Sequence, residues 1–352
     1  MGYSQSGMDY SGPSAWDSFV YNIGESFRQP TTPYKARSGM QVQTTAPYCQ
    51  PSLGANFSTL SPLSDRICGL YGGFEFLWMR ANFDQNVALI IDPPVGNTLV
   101  PFSYSYELSP RVWLGWESCG GGGFRSTYFR FDEAADTEAV TAVVGSTPVF
   151  VYVYGAGGNL SRNAQANVGE TLTSNHRLKI EALDLEATQR LNWKSLRATF
   201  GGGVRIARMD QHLRGDVTDG AGVLQETVTN DLQWTGAGPT VSLQIRRTIA
   251  DSHLSMFGGL RGSLLMSETE QKIYEMKGAF TTELEDAATQ REILTALEMS
   301  LGLQWTQTIG RHSHAFARGG YETQAWFDAG GPVDSHSTIS LDAITFALGM
   351  QF

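Results

Sequence analysis

From Ile344 to the end of the chain every second residue is apolar: Ile344, Phe346, Leu348, Met350 and Phe352, with Thr345, Ala347, Gly349 and Gln351 between them. Period-two alternation marks a strand with one apolar face. The same texture recurs upstream and predicts ten strands, over residues 69–83, 109–118, 123–133, 175–191, 195–210, 231–247, 253–268, 290–306, 312–328 and 339–352. Predicted connections alternate long and short, as in barrels with long loops on one side and tight turns on the other. A water-soluble sandwich is the competing source of such strands. Strand lengths, Trp and Tyr at strand ends, and a single apolar face with no second sheet to cover it all count against it. The pattern predicts an all-β, transmembrane, antiparallel up-and-down barrel at residues 69–352, with about ten strands. A further hairpin at Val149–Tyr154 would raise the count to twelve; folded inward, that run would form a constriction.

Composition narrows this reading. The chain holds 39 Gly, 11% aromatic and only 17% charged residues. No run approaches the roughly 18 apolar residues that a spanning helix requires, and Gly145, Ser146, Thr147 and Pro148 interrupt the most apolar stretch. A net charge of −10 argues against nucleic acid as a partner. Five lysines stand against 20 arginines, a bias that suits fixed ion-pair networks. Cys49, Cys68 and Cys119 allow a Cys49–Cys68 disulfide in an oxidising compartment, with isolated thiols as the alternative. Residues 1–68 are rich in Ser, Pro, Gly and Tyr. They read as an N-terminal extension, a tail, plug or inter-subunit arm, with a short helix around Ala15–Phe27. Met1 is followed by Gly-Tyr-Ser-Gln-Ser, not by a charged segment and apolar core, so a mature or trimmed chain is expected.

If the apolar face meets lipid, the other face lines a lumen. The charged candidates there are Glu75, Arg111, Glu117, Arg130, Asp184, Glu186, Arg190, Arg197, Arg205, Arg246, Arg261, Glu298, Arg318 and Glu322. Confined to a narrow tube they must pair, because a lone buried charge costs several kcal/mol. Glu186 with Arg197 or Arg205 is the expected kind of pair. Two outcomes compete: a network that seals the barrel, or a narrow path whose arginine excess favours small anions. The predicted outer loops are acidic, including Asp132, Glu133, Asp210, Asp216, Glu268, Glu270, Glu275, Glu283 and Asp286, and read as solvated surface. They lack the spacing of a calcium loop, so no metal is expected. Asp210 with His212 and Asp334 with His336 are close in sequence, but no nucleophile accompanies them, and no catalytic residue is assigned.

Several stretches carry a family resemblance: SPRVWLGWESCGGGGFRSTYFRFD (Ser109–Asp132), LDLEATQRL (Leu183–Leu191), FGGGVRIARMDQ (Phe200–Gln211), GYETQAWF (Gly320–Phe327) and the terminal LDAITFALGMQF. Over about residues 69–352 the chain resembles the Legionella-type, MOMP-like family of pore-forming outer-membrane β-barrels. The resemblance implies an outer-membrane channel with no cofactor and no catalytic residues. Phe352 at the end of an alternating strand also looks like the C-terminal signal read by barrel-assembly machinery. The expected function is a porin-like channel for passive diffusion of small hydrophilic solutes, with both termini periplasmic. The alternative is a sealed structural envelope protein that self-assembles. Expected partners are outer-membrane lipid, the assembly machinery and, in a homo-oligomer, copies of the same chain.

Overall fold

A computed structural model describes residues 68–92, 96–145, 148–155, 161–250, 252–278, 282–309 and 313–352. All belong to the second of two units into which the chain divides, Ser61–Phe352. The expected N-terminal helix, the role of the extension and Cys49 lie outside the described residues.

Fifteen strands are described: β1 Gly69–Phe83, β2 Leu89–Ile91, β3 Thr98–Val100, β4 Glu107–Glu117, β5 Gly122–Ala134, β6 Glu138–Thr141, β7 Val149–Tyr154, β8 Ser161–Ala166, β9 Thr171–Trp193, β10 Leu196–Thr218, β11 Leu224–Thr248, β12 Leu254–Lys277, β13 Thr282–Ile309, β14 Ser313–Phe327 and β15 Ile339–Gln351. Ten of them form an antiparallel ring in the order β1-β4-β5-β9-β10-β11-β12-β13-β14-β15. The ring closes by pairing β1 with β15, from Tyr71 opposite Gln351 to Phe83 opposite Ile339. Closure removes the unpaired edges an open sheet would expose to lipid. The ten-stranded expectation therefore holds. The ends of the barrel are distinct, because Gly69 and Gln351 share one of them, called the near end below.

At the near end the apolar side chains point outward. Leu348 is 66% exposed while its neighbour Ala347 is 2% exposed. Exposed aromatics bound this band, with Trp116, Trp193, Trp305 and Phe352 towards the near end and Trp78, Tyr106, Tyr128 and Tyr321 towards the far end. That is the girdle arrangement of a barrel crossing a bilayer. Beyond the second girdle the alternation changes hand. On β9, Leu185 faces out, but Ile180 and Leu178 are fully buried inside. On β10, Phe200, Val204 and Ile206 face out, whereas Met209, Leu213 and Val217 face in. Charged residues such as Arg130, Arg177, Arg208, Glu268 and Lys272 take over the outer surface. The far end is thus built like a water-soluble barrel, greasy inside and ionic outside.

Two expectations change accordingly. The acidic stretches read as long loops continue as strand: Asp210 and Asp216 lie on β10, Glu268, Glu270 and Glu275 on β12, and Glu283 and Asp286 on β13. Between β10 and β11 only residues 219–223 remain as a connection, and β12 runs on to Lys277 before β13 starts at Thr282. The backbone stays paired there, and most of these carboxylates meet arginines. Asp210 and Asp216 pair with Arg208 and Arg214 on the same strand, Glu268 with Arg291 across the ladder, and Glu275 and Asp286 with Arg162 of β8. The disulfide joins Cys68 to Cys119, not to Cys49. It ties the start of β1 to the β4–β5 turn, which the β1–β4 pairing already brings alongside.

The long connections 84–106 and 135–170 carry a second sheet, in the order β3-β2-β7-β8. Val149, Val151 and Val153 of β7 are buried in one apolar core with Leu213, Val217 and Val228 of the barrel wall. This is the inward placement of the Val149 run, and no twelve-stranded ring forms among the described residues. β8 is an edge strand, and carboxylates of the wall receive its free backbone donors. Asn163 N donates to Glu275 Oε1 at 3.1 Å and Gln165 N to Glu226 Oε2 at 3.0 Å. Gln271 Nε2 donates to the Tyr154 carbonyl at 3.0 Å.

Candidate functional site: the charged interior

Inside the apolar band the inward positions are charged, and strand register decides who meets whom. Glu75 lies opposite Arg111, Arg125 opposite Glu186, Arg205 opposite Asp184, and Arg261 opposite Glu298. Arg111 holds Glu75 at 2.9 Å and Glu322 at 2.5 Å. Arg125 holds Glu186 at 2.6 Å. Arg205 clamps Asp184 at 2.7 Å and Glu298 at 2.6 Å, while Arg261 bridges Asp184, Glu186 and Glu298 at 3.0–3.2 Å. Arg190 reaches Glu117 at 2.7 Å, nearer the turns. Arg205 and Glu186 are almost wholly removed from solvent. Such groups are tolerated because each charge meets at least one opposite charge at hydrogen-bond distance, in bidentate or bridging geometry, although Arg205 Nη1 and Glu186 Oε1 are buried without a hydrogen-bond partner.

The structure turns every predicted lumen residue inward except Arg130. That side chain stands on the outer wall with Asp132 at 3.1 Å and opposite Glu181. The phase of β5 is the reverse of the one expected, because Phe129 and Phe131 belong to the far-end core and Arg125 to the lumen. Arg125 escapes the alternation pattern for that reason, although it shares parity with Thr127 and Glu133 and faces Glu186 across the β5–β9 ladder. Glu186 pairs with Arg125 and Arg261 rather than with Arg197 or Arg205. His212 sits on the outer wall against Asp231, while Asp210 pairs with Arg208. The Asp334 carboxylate accepts the backbone N–H of His336 at 3.0 Å, a local turn bond.

At the near end the network borders a cavity of about 230 Å³, lined by Arg190, Arg197, Arg246, Arg318, Glu75, Glu117, Gln304 and Gln351 among others. Towards the far end the interior is dry. Leu77, Met79, Phe131, Ile180, Met209, Trp234 and Trp326 are at most 1% exposed, and the two indoles lie 5.8 Å apart across the core.

A closed antiparallel ring, with an apolar outer belt between aromatic girdles and a charged interior at belt height, defines a bacterial outer-membrane β-barrel. The chain belongs to the family described as Legionella pneumophila major outer membrane protein precursor, whose model matches residues 73–347. No curated protein matches it. Among solved structures it is similar to the outer membrane protease OmpT from Escherichia coli, with 9% identity over 84% of this chain and 99% of that one and a TM-score of 0.45. It is also similar to a FadL homologue of Pseudomonas aeruginosa, with 7% identity over 81% and 90% of the two chains and a TM-score of 0.23. The Pseudomonas putida toluene transporter TodX gives 7% identity, the same coverages and a TM-score of 0.26. Such scores carry no argument, and the architecture rests on the strand pairing itself.

Proposed function

We propose that this protein is a porin-like outer-membrane barrel, non-catalytic, whose passage is held shut in the conformation described. The far end faces outward from the cell and both termini lie in the periplasm. The outer belt contacts lipid, the terminal strand ending in Phe352 is recognised by the assembly machinery, and the barrel can associate with its own copies. One observation carries the channel reading: the arginine-rich near-end cavity is a polar space with room for several waters at membrane height, which a barrel serving only as scaffold has no need of. The closure consists of the ion-pair layer, the apolar core beyond it and the inserted sheet. Small hydrophilic solutes or ions enter the near end and cross when that closure yields. The dryness of the far-end core favours a second reading, a permanently sealed structural barrel.

Conductance across a planar lipid bilayer separates the two. The unaltered protein is expected to give rare or no steps. The Trp234→Ala, Trp326→Ala double variant removes the two largest side chains of the closure, and frequent steps are expected from it. A double variant that migrates in gels as a folded, heat-modifiable barrel yet passes no current would leave the sealed scaffold standing. Steady conductance from the unaltered protein would instead remove the closed state from the proposal.

A further inference from the structure

One arginine of the cavity is held differently from the rest. Arg318 has no carboxylate within ion-pair distance among the described residues, and its Nε is buried without a hydrogen-bond partner. Its guanidinium is surrounded by aromatic rings instead: Phe257 at 4.9 Å, Trp113 at 5.4 Å and Phe316 at 5.8 Å from ring centroids. The sequence builds this cage through glycine. Each ring lies directly across the ladder from one: Trp113 from Gly73, Phe257 from Gly302 and Phe316 from Gly349. A Cβ at those glycines would stand 2.3, 2.7 and 2.3 Å from the rings, so only glycine lets them lie flat on the wall.

The nearest carboxylates are already engaged. Both oxygens of Glu322, and Glu75 Oε2, accept from Arg111. The lining of the cavity contains seven arginines and four glutamates. When Asp184 and Glu186 behind it are included, together with Arg205, arginines still outnumber carboxylates. Ring faces steady a cation but do not neutralise it, and a guanidinium with a buried, unpartnered Nε and no paired carboxylate, set in the wall of an enclosed polar cavity, gains from an anion that can reach it. We propose that Arg318 anchors a binding site for a small oxyanion, of the phosphate or sulfate type, in the near-end cavity. Arg197 and Arg246 stand at its mouth as guides. The caged guanidinium is rigid and planar, and offers a preset fork to two oxygens of the anion. This deepens the reading of the cavity as the solute-bearing end of the barrel and rests on it.

Titration of inorganic phosphate into the full-length folded protein in detergent, followed by calorimetry or by ³¹P line broadening, tests the site. Saturable binding is expected, weakened about tenfold or more by Arg318→Gln. It should be unchanged by Arg130→Gln on the outer wall. Arg318→Lys keeps the charge but loses the fork, and intermediate affinity is expected from it. Absence of saturable binding by the unaltered protein overturns the proposal whether or not the variants fold, and so does a folded Arg318→Gln variant with undiminished affinity. The outcome is independent of conductance. Phosphate binding by a barrel whose double tryptophan variant stays silent would keep the site and remove the channel, and current without phosphate binding would do the reverse.

Discussion

Replacing Arg111 with Leu is expected to lower folding stability by about 3–5 kcal/mol. Among the described residues Arg111 is the one ion-pair partner of both Glu75 and Glu322, and all three side chains are more than nine-tenths buried. Its loss leaves two carboxylates enclosed with no counter-charge, on strands β1 and β14 that are not neighbours. Burial and repulsion then act together, and part of the cost returns if Glu75 and Glu322 are made Gln in the same chain. Arg130→Leu is the comparison, since that ion pair is solvent-exposed and screened, and little measurable change is expected. Urea unfolding midpoints in detergent micelles supply the numbers. Equal losses for Arg111→Leu and Arg130→Leu would mean that the interior pairs are hydrated and contribute no more than surface ones.

The second expected result concerns pH. Glu133, on the far-end part of β5 beyond the membrane belt, is 1% exposed. Burial pushes its carboxyl up to about 8, with Glu107 and Asp136 adding to the rise and Arg80 and the Ala81 N–H opposing it. Its Oε2 accepts that N–H at 3.1 Å. The folded state therefore holds a proton that the unfolded chain releases near pH 4.5. Stability falls as pH rises between these values, by about 1.4 kcal/mol per unit for this one group.

His176 acts in the opposite sense. Burial lowers it to about 3, and its Nδ1 shares a hydrogen bond with the Tyr104 hydroxyl at 2.8 Å. The unfolded chain takes up a proton near pH 6.5 that the folded one refuses, so stability falls as pH drops below 6.5. The two slopes cancel between about pH 4.5 and 6.5, with losses on either side. Glu133→Gln keeps an acceptor for Ala81 N and removes the titration. The variant is expected to hold its stability from pH 6.5 to 9, where the unaltered protein loses it, and to gain stability with pH between 4.5 and 6.5. Parallel pH profiles for the two proteins would show that Glu133 is ionised when folded.

Much of this architecture is legible in the sequence because the bilayer imposes a binary pattern. The terminal run Ile344–Phe352 and the Val112, Leu114, Trp116 face of β4 need no tertiary information, since lipid contacts one side of each. What misleads is the assumption that a strand keeps one parity for its whole length. On β9 the inward apolar positions Leu172, Leu178, Ile180 and Ala182 are even-numbered, and the outward ones, Leu183, Leu185 and Leu191, are odd-numbered. The switch at Ala182–Leu183 marks the height at which lipid gives way to water, and it is written in the chain. Reading β5 with a single parity put Arg130 in the lumen and overlooked Arg125. Arg318 is legible as an inward residue, but its aromatic cage is beyond reach for another reason. Its three rings come from β4, β12 and β14, and only ladder register sets each against its glycine.

The pairing of β1 with β15 also sets a clock on biogenesis. A growing polypeptide has no closed form until its final dozen residues have been made, because the first hairpin waits for the last segment as its neighbour. Up to that moment the intermediate carries two bare hydrogen-bonding margins, each a template for pairing with another chain.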